Sequence, residues 1–172
     1  MDSASHQNYT RKWANELNCP VFSVDYRLAP GNPYPDPVND CYQAYVWIVT
    51  QAEKQLDMKL EHIIFAGDSA GGHLTMSVAV LAILRGFRKP DSIFSHYPAF
   101  STEVSFLPSA LLSVDEWLLT EAFMGCVMGC FLRNGGNPDV SVLASPMVAP
   151  EALLNLLPRV FMTCCEADPL RD

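Results

Sequence analysis

A serine between glycines is the residue of this sequence best suited to covalent chemistry. The pattern G-x-S-x-G is formed by Gly67, Asp68, Ser69, Ala70 and Gly71. In such a pattern the serine occupies a strained turn when an apolar strand precedes it and a helix follows it. Residues 63–66 are a short apolar run and residues 71–84 have a helical pattern, so both conditions are met. We therefore predict that Ser69 is a nucleophile able to attack an acyl carbonyl. The alternative is that the five residues form a turn by chance.

The neighbours of Ser69 have predicted roles of their own. The Ala70 N–H can donate to the oxygen of a tetrahedral intermediate, and the positive end of the helix dipole adds to this stabilisation. Glycine is predicted at 67 and 71 because a side chain at either position would collide with the adjacent strand or helix. The turn formed by residues 67–71 is called the elbow below. Asp68 is predicted to be an elbow residue whose carboxylate accepts hydrogen bonds from nearby backbone N–H groups, and not a second catalytic acid.

The elements that must position this serine alternate along the chain. Short apolar runs and longer helical patterns follow each other, as expected for β-α-β units on a parallel sheet. We predict strands at 19–24, 63–66, 92–96 and 159–164. Helices are predicted at 38–56 and 71–84, together with a first helix capped by Ser3 or Ser5. Residues 28–37 contain four of the 13 prolines and are predicted to form a surface loop. A helical pattern over 109–132 is interrupted by Gly125 and Gly129. The fold class is α/β, a mostly parallel sheet sandwiched by helices.

Three segments resemble the hormone-sensitive lipase family of α/β-hydrolases. Residues 67–72, which add Gly72 to the elbow, match that family's G-D-S-A-G-G segment. Residues 25–30 read D-Y-R-L-A-P, and residues 168–172 read D-P-L-R-D, which resembles the family's acid turn. The resemblance extends over 1–172 and implies a partial α/β-hydrolase catalytic domain, truncated at both ends. It implies hydrolysis of acylglycerols or sterol esters through a serine acyl-enzyme. The alternatives are a small-ester carboxylesterase or deacetylase, and a non-catalytic lipid-binding pseudoenzyme.

The resemblance also implies that Asp168 is the acid that orients the catalytic histidine. Its place after Ser69 agrees with the order serine, acid, histidine found in hydrolases of this fold. A solvated turn aspartate is the alternative. No histidine follows Asp168, and the family's H-G-G-G segment does not occur. The four histidines present, His6, His62, His73 and His96, all precede Asp168. We expect His73 to pack or cap, and we keep His96 as a candidate substitute base. The chain as written is therefore expected to be nearly inactive, either as a truncated piece or as a pseudoenzyme.

Composition excludes several other functions. A formal charge of -8 without a basic run argues against nucleic acid as a partner. The polar start of the chain is unlike a secretory signal, and the apolar stretches of the sequence are shorter than the roughly 20 residues of a membrane span.

The six cysteines lack a regular framework, so we predict reduced thiols in a cytoplasmic protein. Cys126 and Cys130 have no further ligands at suitable spacing, so neither a metal nor another cofactor is implied. An ester or lipid is the expected partner, and attachment to lipid droplets through segments outside this chain stays open.

Two apolar groups have further expected roles. Cys164 and Cys165 are predicted to fill the interior of the last strand. The helical pattern near 109–132 carries an apolar surface that forms either core or the lining of an acyl pocket. This surface consists of Trp117, Leu118, Phe123, Met124, Val127, Met128 and Phe131.

Overall fold

The sheet has three parallel strands within the part of the chain that the structure describes. The computed structural model describes residues 3–102, 108–112, 115, 117–132 and 141–171. The strands are β1 (Ile64–Asp68), β2 (Ser92–His96) and β3 (Arg159–Thr163), and β2 lies in the middle. Asp68 pairs with His96, which pairs with Thr163. The carboxyl ends of all three strands are therefore aligned at one edge. The α/β class and the parallel sheet are confirmed.

Helices precede the first strand and occupy the segments between the strands, largely where the sequence predicts them. They are α1 (Gln7–Leu17), α2 (Asp36–Trp47), α3 (Glu53–Leu56), α4 (Ala70–Leu84), α5 (Pro108–Leu112), α6 (Glu121–Leu132) and α7 (Glu151–Leu154). A π-helical turn at Ile48–Ala52 joins α2 to α3, so the predicted helix 38–56 is one continuous helical segment. It begins two residues earlier than predicted because Pro37 fits the first turn of a helix.

Helix α4 is the centre of the core. Its side chains pack against α2 on one side and against β2 on the other, which is why an all-round apolar sequence is stable here. The α2 side is formed by Leu74, Val78 and Leu81 together with Val38, Tyr42 and Tyr45. The sheet side is formed by Met76 and Ala79 against Ile93. Two packed surfaces therefore hold α4, and with it the turn at its N-terminus, in one position.

The predicted strand at 19–24 is wrong. Residues 20–28 form no ladder, and the side chains of Val21, Phe22 and Val24 are all exposed. β-branched and aromatic residues favour extended backbone, but a strand also needs a neighbour with which to exchange hydrogen bonds. No strand among the described residues lies beside this segment. Cys164 and Cys165 are likewise exposed, beyond the last residue of β3, and do not fill a strand interior.

The predicted serine cap of the first helix is also corrected. Ser3 belongs to a 3-10 turn, Ser3–His6, that precedes α1. Its hydroxyl donates to Asp25 Oδ2 at 2.8 Å and its N–H to Oδ1 at 2.6 Å. His6 stands at the N-cap of α1 without a side-chain cap. Ser3 therefore connects the start of the chain to the segment after residue 24.

Gly125 and Gly129 do not interrupt the helical pattern, because α6 runs through both residues. A glycine within a helix costs about 1 kcal/mol relative to alanine, which neighbouring helical residues can offset. Residues 113, 114 and 116 of the predicted helical segment lie outside the described residues.

We expect Gly125→Ala and Gly129→Ala each to raise the free energy of unfolding by about 0.5–1 kcal/mol. A Cβ added at either position meets nothing within 4 Å, so the gain in helix propensity is not opposed by a clash. Urea unfolding followed by circular dichroism measures the change. Gly86→Ala is the matched control: Gly86 has φ +60, where alanine is strained, so this variant should be destabilised. Loss of stability in both α6 variants would contradict the prediction.

Candidate functional site

Ser69 lies at the sharp turn between β1 and α4. Its φ is 53 and its ψ is -117, a conformation that costs energy in any residue except glycine. Its N–H donates to the His96 carbonyl at 2.9 Å, and its own carbonyl accepts from the His73 N–H at 3.1 Å. These two bonds connect the serine to β2 and to the first turn of α4. The residue is exposed, so its hydroxyl is accessible from solvent.

The glycines of the elbow and the adjacent Gly72 differ in how much space a side chain would have. A Cβ at Gly67 would lie 2.4 Å from the carbonyl carbon of Gly71, so the predicted collision exists there. At Gly71 a Cβ meets nothing within 4 Å, and the predicted collision is wrong because this position faces open space. Gly72 is the second crowded position, where a Cβ would lie 2.7 Å from Ser95 Oγ and 3.1 Å from Pro98 Cβ. Close approach of α4 to β1 and β2 therefore depends on Gly67 and Gly72.

Ala70 is the first residue of α4. Its N–H has no acceptor within the helix, because the first four N–H groups of any helix lack one. The residue is exposed next to Ser69, at the positive end of the helix dipole. An anion formed on a substrate at Ser69 could thus accept a hydrogen bond from this N–H.

The carboxylate of Asp68 has a partner that the sequence does not reveal. Instead of the predicted backbone N–H, the Tyr9 hydroxyl donates to Asp68 Oδ1 at 3.2 Å. Burial raises the pKa of Tyr9 to about 12, with contributions from the charge and the hydrogen bond of Asp68. Tyr9 lies on α1, 59 positions away along the chain, so only the folded structure places it beside the elbow.

Asp168 follows β3 in a turn closed by its own backbone. Its N–H donates to the Cys165 carbonyl at 3.3 Å, and its carbonyl accepts from the Arg171 N–H at 3.1 Å. The Leu170 N–H donates to Asp168 Oδ1 at 2.9 Å. Asp168 is partly buried and, like Ser69, follows the carboxyl end of a parallel strand. The two residues therefore lie at the same edge of the sheet, with β2 between their strands. Asp172, the last residue of the D-P-L-R-D segment, lies outside the described residues.

The histidines occupy four different environments. His73 is buried, with Nδ1 at 2.7 Å from the Ala99 carbonyl and Nε2 at 3.2 Å from Ser77 Oγ, so the predicted packing role is confirmed. His96 Nδ1 lies 2.8 Å from Thr163 Oγ1. His62 is largely exposed, 3.9 Å from Asp91. His6 Nδ1 is paired with the Tyr9 hydroxyl. The role of His96 as a substitute base stays a prediction, and its Nδ1 is hydrogen-bonded to a threonine on β3.

Burial lowers the pKa of His73 below its ordinary 6.5, although hydrogen bonds to backbone carbonyls oppose part of the shift. The unfolded chain then binds more protons than the folded chain between the lowered pKa and about pH 6.5. We therefore expect the free energy of unfolding to fall as the pH is lowered through this window and to level off above it. Urea titrations between pH 5 and 8 measure the slope. His73→Gln should reduce it, whereas an unchanged slope would assign it to other groups.

An apolar cavity of about 100 Å³ opens beside the elbow. It is bounded by Ala70 and by residues of the 26–29 segment and α6, among them Tyr26, Leu28, Val127, Met128 and Phe131. The apolar surface predicted near 109–132 is therefore divided. Met124 is core, Val127, Met128 and Phe131 line the cavity, and the remaining three side chains are largely exposed.

Within the residues that the structure describes, no three His, Cys, Asp or Glu side chains are grouped as a metal site would need. No helix there has the length and apolar character required to cross a bilayer.

The sequence and the structure were compared with known proteins. The profile of the alpha/beta hydrolase fold matches residues 1–172. Hormone-sensitive lipase of Mus musculus is 44% identical over 117 residues, which are 68% of this chain and 15% of the lipase. Carboxylesterase NlhH of Mycobacterium tuberculosis is 32% identical over 170 residues, which are 98% of this chain and 52% of the esterase. The chain thus spans a small part of the lipase and about half of the esterase.

Solved structures of esterases also superimpose on this chain. A bacterial heroin esterase superimposes with a TM-score of 0.91 and 31% identity, over 100% of this chain and 54% of the esterase. A hyperthermophilic esterase from the archaeon Pyrobaculum calidifontis gives a TM-score of 0.90 and 32% identity, with 100% and 54% covered. The arrangement of β1, Ser69 and α4 is therefore part of a fold shared with these esterases.

Proposed function

The chain belongs to the α/β-hydrolase fold family, and on this basis we propose that it is the nucleophile-bearing part of a carboxylic ester hydrolase. Its resemblance to the hormone-sensitive lipase family is confirmed by the relatives it matches. The observation that carries the proposal is the conformation of Ser69, which is exposed at a positive φ between β1 and α4. A structural serine has no need of this strained position.

In the proposed reaction, the Ser69 hydroxyl attacks the ester carbonyl carbon and forms a tetrahedral intermediate, while its proton passes to the general base that the triad acid orients. That base returns the proton to the alcohol oxygen as the alcohol leaves. The Ala70 N–H donates to the oxyanion, and collapse of the intermediate expels the alcohol and leaves an acyl group on Ser69. Water then hydrolyses this acyl-enzyme and regenerates the serine. Gly67 and Gly72 allow the close packing around the turn that presents the hydroxyl, and Asp68 and Gly71 complete its sequence.

We assign the acid of the triad to Asp168. It follows a parallel strand after the nucleophile, as the acid does in hydrolases of this fold, and its turn is held by hydrogen bonds of its own backbone. A carboxylate here would hold the imidazole of a histidine in one tautomer and stabilise its protonated form. The 172 residues contain no histidine beyond Asp168. We therefore propose that this chain by itself hydrolyses esters at a rate close to the uncatalysed one.

The substrate we propose is an acylglycerol or sterol ester, on the strength of the identity to hormone-sensitive lipase. The cavity beside Ala70 favours a second candidate, a short-chain ester. Its lining is apolar and its volume is about 100 Å³, which suits a small apolar acyl group.

A fluorophosphonate probe tests the proposal, because it reacts with activated serines and needs no turnover. We expect slow labelling of the 172-residue chain, and mass spectrometry of peptides should place the adduct on Ser69. Protection by p-nitrophenyl butyrate would favour the short-chain substrate, and protection by dispersed trioleoylglycerol would favour the lipid substrate. No adduct at Ser69 would reject an activated nucleophile and leave a non-catalytic lipid-binding role.

We also propose a cytoplasmic location, because all six cysteines are unpaired. Contact with lipid droplets, where it occurs, is assigned to segments outside this chain. Nucleic acid is not among the proposed partners, since the net charge of -8 would repel phosphate.

A further inference from the structure

We propose that Tyr9 is a positioning residue for the nucleophile, connecting α1 to the peptide that precedes Ser69 through its hydrogen bond to Asp68. This inference rests on the proposed function for its catalytic consequence. The structural claim is that the Tyr9–Asp68 hydrogen bond stabilises the backbone around Ser69. This claim does not depend on the proposed function. Neither the G-D-S-A-G-G segment nor the resemblance to ester hydrolases assigns a partner on α1 to Asp68.

The hydrogen bonds around Tyr9 have a defined direction. A carboxylate only accepts, so the phenol proton of Tyr9 points to Asp68 Oδ1, 3.2 Å away. A phenol has one proton, and therefore His6 Nδ1, which is also within hydrogen-bond distance, must donate its N–H to the Tyr9 oxygen. The resulting series runs from His6 through Tyr9 to Asp68. With the His6 proton on Nδ1, both bonds of this series run in the same direction.

The ring of Tyr9 is held independently of its hydroxyl. It packs against Trp13 with ring centroids 4.8 Å apart, and the edge of His6 contacts it at 5.5 Å. The hydroxyl is therefore presented to Asp68 by a packed side chain that lies partly buried on α1. A preorganised donor of this kind loses little side-chain entropy when it forms the bond.

Asp68 transmits this contact to the nucleophile. It is the last residue of β1 and is joined to Ser69 by one peptide bond, and Ser69 is itself strained. Strained backbone persists only when surrounding contacts fix it from several directions. The Ser69 N–H to His96 bond fixes the elbow from β2, and the His73 N–H fixes it from α4. Tyr9 of α1 supplies a third contact, through Asp68.

Amide hydrogen exchange measured by NMR tests the structural part. Tyr9→Phe removes the hydroxyl and keeps the ring against Trp13. We expect the exchange rate of the Ser69 amide to rise about tenfold, in line with the loss of one hydrogen bond. Asp68→Ala should give a similar increase. Asp68→Asn keeps an oxygen that can accept from Tyr9, so the increase should be clearly smaller.

Tyr45→Phe is the matched control. It also removes a tyrosine hydroxyl with a single acceptor, the Arg88 carbonyl at 2.7 Å, which lies before the amino end of β2. This variant should lower overall stability and leave the Ser69 amide unchanged relative to the global exchange rate. If Tyr9→Phe accelerates exchange only within α1, Tyr9 merely fastens its own helix and the proposal is overturned.

The catalytic consequence has a separate readout. The rate at which the fluorophosphonate labels Ser69 should fall several-fold in Tyr9→Phe and stay unchanged in Tyr45→Phe. If Ser69 is labelled in no variant, the proposed ester hydrolase function of this chain fails, while the exchange rates still decide the positioning role. Equal labelling rates in Tyr9→Phe and the unmodified chain would overturn the catalytic part of the proposal.

Discussion

Replacing Ser69 with alanine should abolish covalent labelling by a fluorophosphonate. The hydroxyl is the group that forms the new bond to phosphorus, and Ser69 is the serine whose backbone is strained and exposed at the start of α4. In a hydrolase with all its catalytic groups, removing the nucleophile lowers the rate by a factor on the order of 10⁶. In this chain we expect the adduct to disappear altogether. Intact-mass spectrometry after a fixed incubation measures the labelled fraction.

The control for this experiment is an exposed serine far from any helix N-terminus. Ser23→Ala serves, because Ser23 lies in the unpaired extended segment after α1. Its labelling should match that of the unmodified chain. A persistent adduct in Ser69→Ala, mapped to another residue, would show that the reactive group had been assigned wrongly.

Gly67→Ala should be the most destabilising single substitution at the elbow. Its Cβ would lie 2.4 Å from both the carbonyl carbon and the oxygen of Gly71, and 2.9 Å from the Gly72 nitrogen. These are backbone atoms at the first turn of the central helix, and they cannot rotate away as a flexible side chain could. Relief would require α4 to move from both packed surfaces. We expect a loss of at least about 3 kcal/mol in the free energy of unfolding, at the upper end for overpacked sites.

Gly71→Ala provides the matched comparison within the same motif. A Cβ there has nothing within 4 Å, and alanine is a better helix former than glycine. Its stability should therefore equal or slightly exceed that of the unmodified chain. Thermal unfolding followed by circular dichroism ranks the variants. Equal destabilisation by the two substitutions would contradict the assignment of the backbone contact to Gly67 and of open space to Gly71.

The local elements were largely determined by the sequence. The strand before Ser69, the helix after it and the central strand β2 could be predicted because apolar periodicity and turn residues act over a few positions. The exposed, strained position of Ser69 also follows from its motif, since the G-x-S-x-G pattern with these flanks has a backbone geometry of its own. The continuous helical segment before β1 was predictable for the same local reason.

The errors share a different cause. Residues 19–24 have the composition of a strand, yet no described strand lies beside them, because pairing is a property of two segments and not of one. A steric collision was predicted at Gly71, but the crowded position is Gly72. The G-x-S-x-G pattern does not specify which glycine faces β2. Nothing in the sequence assigns Tyr9 to the site, and only the folded structure reveals its hydroxyl beside Asp68.

What the sequence determined by itself is thus the chemistry available at Ser69 and the order of strands and helices around it. The tertiary structure decided which contacts surround that serine: the His96 carbonyl on β2 accepts from its N–H, Gly67 lies close to Gly71, and Tyr9 of α1 donates to the neighbouring Asp68. The physical reason is that propensity and periodicity depend on neighbours along the chain. Contacts between residues separated by tens of positions depend instead on how helices and strands pack, and this packing is specified by the whole chain at once.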